Sequence, residues 1–390
     1  MRTDATRLRV ALVYDCLFPG TSGGAERWLW ALASELATLG HEVTYVTRDF
    51  GVAPLGDDVR VEYLSAADEL YTSSGTRRVG PSIAWAVRVG RYLRRHRDDY
   101  DAIYVHQTPL WPILTARAAL AGYRGWWGVE WIEWWTKDYW QHYAPGTPGR
   151  LGWWVQRKAL LASRRILTYA AVTDRRVRAQ DPPGPVYRLP GQVYGLVAPG
   201  VTGERSPRLP AGPFVLTLGR LVPEKHPDVA VQVMAEIARR HPGTAGVVIG
   251  RGPMAQDLAA AARATGEDIR VITDADDDLV VQALAGAAVL LHPSTREGFG
   301  LVVVEAAAHG TPTVVVDSDD NAAVELVTPG VNGHVSPVCE ETSLTVAVES
   351  VLTDAPAYRE RTRAWFESVM AERSVSASAK ELVRLIETRE

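Results

Sequence analysis

The sequence predicts an α/β protein built from two consecutive doubly wound domains. Three observations carry that expectation. The chain has 390 residues, too many for one ordinary core and a natural length for two. Short apolar strands alternate with amphipathic helices almost throughout. Over 201–213 glycine and proline thicken and periodicity is lost, as in an interdomain linker.

The first series opens with a strand over 8–14, a loop over 19–24, a helix over 26–39 and a strand over 42–46. Leu29, Leu32, Leu36 and Leu39 recur at helical spacing and bury one face of that helix. Further strands are expected over 102–105, 126–129, 166–172 and 186–189. The second series places strands over 214–218, 245–249, 269–272, 289–291 and 313–316. Helices fall between them over 228–239, 255–264, 278–285 and 301–309, and the stretch 341–390 reads as helices. In such an architecture ligands bind in a crevice outside the carboxyl ends of the strands.

Charged residues at 23% and hydrophobic residues at 46% are the proportions of a soluble globular chain. A net charge of -4 gives no electrostatic case for nucleic acid. Cys16 and Cys339 lie far apart and make neither a metal spacing nor a disulfide framework, which reads as a reducing compartment. The apolar stretch at 10–14 is too short for a signal-peptide core and is interrupted by Asp15. No run reaches the roughly 20 apolar residues that a spanning helix needs. The expected location is the cytoplasm, with contact at a membrane surface left open.

Two loops carry chemistry. Gly219-Arg220-Leu221-Val222-Pro223-Glu224-Lys225 follows a strand and precedes a helix, so its two cations point where a diphosphate leaving group could be neutralised. The plain alternative is a solvated basic turn. Glu297-Gly298-Phe299-Gly300-Leu301 follows another strand, with glycines that let the backbone approach a ligand and a helix start whose amides suit phosphate or sugar oxygens. Glu305 lies about two turns further along that helix. Two carboxylates so spaced can hold different parts of one extended ligand. Alternatively, Glu297 is a cap and Glu305 a paired helix acid.

These residues resemble a known family. Glu297 and Glu305, with seven residues between them, match the EX7E motif of the retaining GT-B glycosyltransferases of family 4. The run 219–225 matches that family's phosphate loop, Ile249-Gly250-Arg251-Gly252-Pro253 its Gly-x-Gly-Pro turn, and Gly23-Gly24-Ala25-Glu26 its N-terminal glycine loop. The resemblance covers 213–336 and 8–47 and thins between 52 and 200. It implies a GT-B fold, two Rossmann-like domains facing across a cleft: 1–205 for the acceptor, 213–370 for the nucleotide-sugar, and 371–390 as a helix packing back on the first. It implies catalytic roles for Glu297, Arg220 and Lys225. Donor contacts would come from Gly24, Gly219, Gly252, Gly298, Phe299, Gly300, Leu301 and Glu305, the last on the ribose. It further implies retained anomeric configuration, no metal, and no cofactor beyond the nucleotide-sugar co-substrate.

The family histidine near the sugar has two candidate places, His106 or the segment carrying Glu130, Trp131 and Glu133. Asp274 stands where many members have glycine, which leaves the base open between UDP and GDP. Eight tryptophans crowd 126–154, more than one domain core is expected to take. Some of them, Trp131 and Trp135 above all, are expected to line an acceptor pocket with Glu130 and Glu133. Arg150, Arg157 and Arg164 recur at heptad spacing beside Lys158, Arg165, Trp153 and Trp154, and Arg88, Arg91 and Arg95 form a second stripe. Both read either as solvated faces or as contacts with anionic lipid. The expected reaction moves a hexose-type sugar to a hydroxyl of a glycan, glycolipid or natural product. A sugar phosphorylase or nucleotide-sugar epimerase of the same fold is the alternative.

Overall fold

The computed structural model describes residues 7–21, 23–72, 76–193 and 204–390. The chain forms two compact units, Met1–Tyr194 with Ser374–Glu390, and Gly195–Arg373. The first unit contains β1 (Arg9–Val13), α1 (Gly24–Thr38), β2 (Glu42–Asp49), β3 (Arg60–Ala66), α2 (Val79–His96), β4 (Ala102–His106) and α3 (Trp111–Ala119). It continues through β5 (Trp126–Glu130), α4 (Lys137–Tyr143), α5 (Thr147–Ala162), β6 (Ile166–Thr168), α6 (Ala171–Arg178) and β7 (Val186–Arg188). Its strands form one sheet in the order β3-β2-β1-β4-β5-β6-β7, and every pairing is parallel. A parallel sheet is covered on both faces, so its central strands are apolar without alternation. All five residues of β4 and of β5 are buried accordingly.

The second unit contains β8 (Phe214–Leu218), α7 (Pro227–Arg240), β9 (Ala245–Ile249), α8 (Ala255–Ala264), β10 (Ile269–Ile272), α9 (Asp277–Gly286) and β11 (Val289–His292). Next come β12 (Arg296–Glu297), α10 (Leu301–Ala308), β13 (Thr313–Val316), β14 (Asp320–Asn321), β15 (Gly333–Ser336), α11 (Glu341–Leu352) and α12 (Ala355–Arg373). Its main sheet runs β10-β9-β8-β11-β13-β15, again all parallel, with β12 and β14 as a separate pair. The last helix, α13 (Val375–Thr388), belongs to the first unit and packs on α1. There Ser378 Oγ accepts from the Gly191 amide at 3.0 Å, and Trp126 Nε1–H donates to the Glu390 carbonyl at 2.8 Å.

Three expectations need correction. The strand expected over 166–172 stops at Thr168, whose hydroxyl bonds Asp174 Oδ1 at 3.0 Å and turns the chain into α6. Of the linker expected over 201–213, residues 201–203 lie outside the described residues. The remainder packs on the second unit, with Leu209 buried in its core and the Ser206 amide bonded to Gln282 Oε1. The heptad 150, 157, 164 is not one helix face, because α5 ends at Ala162 and leaves Arg164 beyond it.

Candidate functional site

In the second unit, the strand ends of β8, β9 and β11 carry the motif loops. Beyond β8 the chain passes Gly219 into a short 3-10 turn, Pro223–Lys225, before α7 begins. The loop after β9 lies directly on it: Leu221 N–H donates to the Arg251 carbonyl at 2.8 Å, and Met254 N–H to the Leu221 carbonyl at 3.2 Å. A Cβ at Gly252 would fall 2.2 Å from the Leu221 oxygen, so only glycine permits this approach of two backbones. The Arg220 side chain is exposed. Asp274 is an ion-pair partner of Arg208.

Lys225 turns the other way, toward β12. Its Nζ bonds Glu297 Oε1 and also the Arg296 carbonyl, the latter at 3.3 Å. His292, the last residue of β11, places Nε2 2.6 Å from the same Glu297 oxygen. Burial alone would raise the Glu297 carboxyl. The charges of Lys225 and His292 and their hydrogen bonds outweigh it and hold the group well below the usual carboxylate range. Asn321 fixes the loop by donating to the Ser294 and Val316 carbonyls at 2.9 and 2.8 Å. At Gly300 the backbone is left-handed, φ +95°, and a Cβ would meet Ala323 at 2.6 Å. That turn starts α10 at Leu301 and leaves its first amides without helical partners. Phe299 is buried, Gly298 beside it is buried too, and Glu305 is partly buried on α10.

The structure therefore brings Lys225 and Glu297 into direct contact and adds His292, which sequence reasoning missed. Its only local signal is its place at a strand end five residues before Glu297.

The first unit holds a second polar cluster at the ends of its strands. The parallel register sets His106 beside Glu130. Glu130 is fully buried: Oε1 accepts from Trp28 Nε1–H at 2.5 Å, and the hydroxyls of Tyr104 and Tyr169, which bond each other at 2.8 Å, lie beside the carboxyl. Its burial, opposed chiefly by the Trp28 hydrogen bond, leaves the group pushed up to about 7. His106 is buried as well, pushed down to about 3 chiefly by desolvation, with Nδ1 3.0 Å from the Thr108 amide. Its Nε2 and Glu130 Oε2 are 3.5 Å apart, and among the described residues neither has another partner. Nearby, buried Asp15 pairs with Arg77 and lies 3.7 Å from Arg48.

Two acceptor assignments from the sequence are overturned in part. Trp131 is fully buried and packs in the core beside Trp134, and Glu130 is equally enclosed. Both sit where β5 and its continuation are covered on two faces, so neither presents a surface to a ligand. The unit also takes more indoles inside than expected, since Trp28, Trp30, Trp85, Trp126, Trp127, Trp131 and Trp134 are all buried.

Glu133 and Trp135 are partly exposed. Trp135 Nε1–H donates to Glu133 Oε2 at 2.8 Å, and the indole packs against Tyr139, Trp140 and Tyr143 of α4. Gln107 and Gln156 pin this loop through its backbone, and Tyr143 OH accepts from the Arg77 amide at 2.8 Å. Gly24 starts α1 and is exposed. Among the described residues, no group of three or more His, Cys, Asp or Glu side chains could hold a metal ion.

Comparison with known proteins agrees with this division. The family model "Glycosyltransferase Family 4" matches residues 22–193, and "Glycosyl transferases group 1" matches residues 204–365. A D-inositol 3-phosphate glycosyltransferase of Nocardia farcinica is 37% identical over 117 residues, 28% of this chain and 26% of that protein. The chain thus aligns with about a quarter of that relative's length. A glycogen synthase of Mycobacterium tuberculosis is 27% identical over 379 residues, covering 92% of this chain and 89% of that one. The structure of Anabaena HepE in complex with UDP-glucose superposes with a TM-score of 0.71 at 16% identity, over 98% of this chain and 100% of that one.

Proposed function

Because the chain belongs to the family 4, group 1 glycosyltransferases of GT-B fold, we propose that it transfers a hexose-type sugar from a UDP- or GDP-sugar to an acceptor hydroxyl with retained configuration. The observation that carries this reading is the contact of Lys225, Glu297 and His292 beside two glycine loops at strand ends. Lys225 and Arg220 hold the donor diphosphate, where negative charge grows as the bond to the anomeric carbon breaks. Glu297, kept ionised by its neighbours, accepts sugar hydroxyls; Glu305 accepts from the ribose; amides at Gly298–Leu301 reach sugar and phosphate oxygens. The acceptor oxygen bonds the anomeric carbon on the face that the diphosphate leaves, and the acceptor proton passes to the leaving phosphate oxygen. HepE, with its bound UDP-glucose, supports a uridine donor. The relatives named as glycosyltransferase and glycogen synthase support transfer to a hydroxyl. A thermal-shift screen with UDP, GDP, ADP and their sugars tests the donor; the absence of any nucleotide effect would favour a phosphorylase.

Retention without a metal is the expected outcome of the reaction itself. Proton NMR of the fresh product should show the donor's anomeric configuration, and activity should survive EDTA. An inverted product or a loss of turnover restored by a divalent ion would reject the mechanism.

Acceptor choice is assigned to Glu133 and Trp135. An acid bonded to an indole edge, beside further aromatic faces, suits a ring with hydroxyls on its rim and an apolar side. Glu133→Gln and Trp135→Ala are expected to raise the acceptor KM about tenfold, on the order of 1.4 kcal/mol, with nucleotide affinity unchanged. Unchanged acceptor kinetics in both variants would move the acceptor site elsewhere.

A further inference from the structure

One face of the first unit carries charge and apolar surface unrelated to either polar cluster. Helix α2 packs on α3, and α3 on α5. All three turn apolar residues into one core, among them Trp85 and Val89 from α2, Ile113 from α3, and Ala159 and Leu160 from α5. They therefore form a single layer with a common outer side. Their basic residues are Arg88, Arg91, Arg94 and Arg95 in α2, Arg117 in α3, and Arg150, Arg157 and Lys158 in α5. None of the three helices contains an acidic residue, in a chain whose net charge is -4. The nearest acids in sequence, Asp98 and Asp99, lie past the end of α2 beside Arg97 and His96.

A merely solvated face would mix signs and expose few large apolar groups. This one does neither. On α5, Leu151, Trp154 and Leu161 are about half exposed, at 45%, 53% and 46%. Spacings of three and seven residues put them on one stripe among Arg150, Arg157 and Lys158. Lys158 Nζ lies 5.6 Å over the Trp154 ring. On α2, Val79, Ile83 and Val87 form a second exposed stripe at four-residue spacing, followed by the arginines. Among the described residues no helix is long and apolar enough to cross a membrane.

We propose that the outer face of α2, α3 and α5 docks on an anionic lipid bilayer. Its cations meet headgroup phosphates, while Trp154, Leu151 and Leu161 enter the boundary between headgroups and acyl chains. Lipid rather than nucleic acid is favoured because bulky aliphatic side chains lie in line with the cations, where a polyanion backbone offers them nothing. The proposal is independent of the donor and of the reaction.

The full chain is sedimented with vesicles of phosphatidylcholine alone, or with about one-third phosphatidylglycerol, at low and physiological salt. Binding is expected only to the anionic vesicles and should weaken with salt. Arg150→Glu, Arg157→Glu and Lys158→Glu combined should reduce it by about tenfold or more. Trp154→Ser should reduce it severalfold at both salt concentrations. Circular dichroism melting checks that each variant is folded, and exposed Trp154 carries the test if the triple variant is not. Failure of the parent to bind anionic vesicles, or binding by the folded triple variant equal to the parent, overturns the proposal. Trp154→Ser indistinguishable from the parent, with heparin displacing both, would make this a generic polyanion surface and overturn the assignment to lipid.

Discussion

Lys225→Ala is expected to leave the second unit folded and to lower turnover by about 10²–10³-fold. A fixed cation at a developing oxyanion in a shielded site is commonly worth roughly 3–4 kcal/mol of transition-state stabilisation. Lys225 stands in a short turn, with its Nζ on Glu297 and on the Arg296 carbonyl, so its removal takes away contacts at the site rather than core packing. A second effect follows at the same carboxylate. The Lys225 charge is the largest influence holding the Glu297 carboxyl down, so in the variant that group shifts upward toward the ordinary range, with His292 as its remaining partner. The carboxylate form is lost as pH falls through the folded value, so the acid limb of the variant's pH–rate profile should move to higher pH. Near-parent turnover in a folded variant, with an unmoved acid limb, would remove Lys225 from the mechanism.

Glu130→Ala should strongly destabilise the first unit. It strips the acceptor from buried Trp28, removes the carboxyl beside the Tyr104–Tyr169 hydroxyl pair, and opens a void. Stranded donors and lost packing together cost about 3–5 kcal/mol. The conservative Glu130→Gln separates shape from charge. In the parent the folded carboxyl titrates at about 7 against an ordinary 4.5. Between those values the folded protein keeps a proton that the unfolded chain has released. Stability is therefore greatest below the unfolded value, falls as pH rises through about 7, and is level above it, a change on the order of 3 kcal/mol. Glutamine has no such titration. Urea unfolding from about pH 5 to pH 8 should show the parent losing stability relative to Glu130→Gln as pH rises. Parallel curves for the two proteins would mean that Glu130 is ionised throughout, with the polar groups around it meeting the full cost of the buried charge.

The motif loops after β8, β9 and β11 were legible because their information is local. A strand that ends in Gly-Arg, a Gly-x-Gly-Pro turn, and a glutamate before Gly-Phe-Gly are each written within a few residues, and each is observed at a strand end. The tryptophans were misread for the opposite reason. An indole's burial depends on which helices cover its strand, and α3 and α5 reach Trp127 and Trp131 only through the fold. His106 and Glu130 were weighed as rivals for one place, whereas the parallel register makes them neighbours.

By itself, then, the sequence determined the α/β alternation, the order of the two units and the loops that follow β8, β9 and β11. Periodicity, turn chemistry and glycine's steric freedom act over a few residues and need no distant partner. Only the tertiary structure decided that Lys225 and His292 share one oxygen of Glu297, that Glu130 is sealed against Trp28, Tyr104 and Tyr169, and that α2, α3 and α5 join into one acid-free face. Those outcomes depend on side chains brought together from 5 to more than 100 residues apart along the chain, as with Glu130 and Trp28, and on the removal of water around them. Burial and Coulomb attraction are properties of the assembled neighbourhood, which no local pattern encodes.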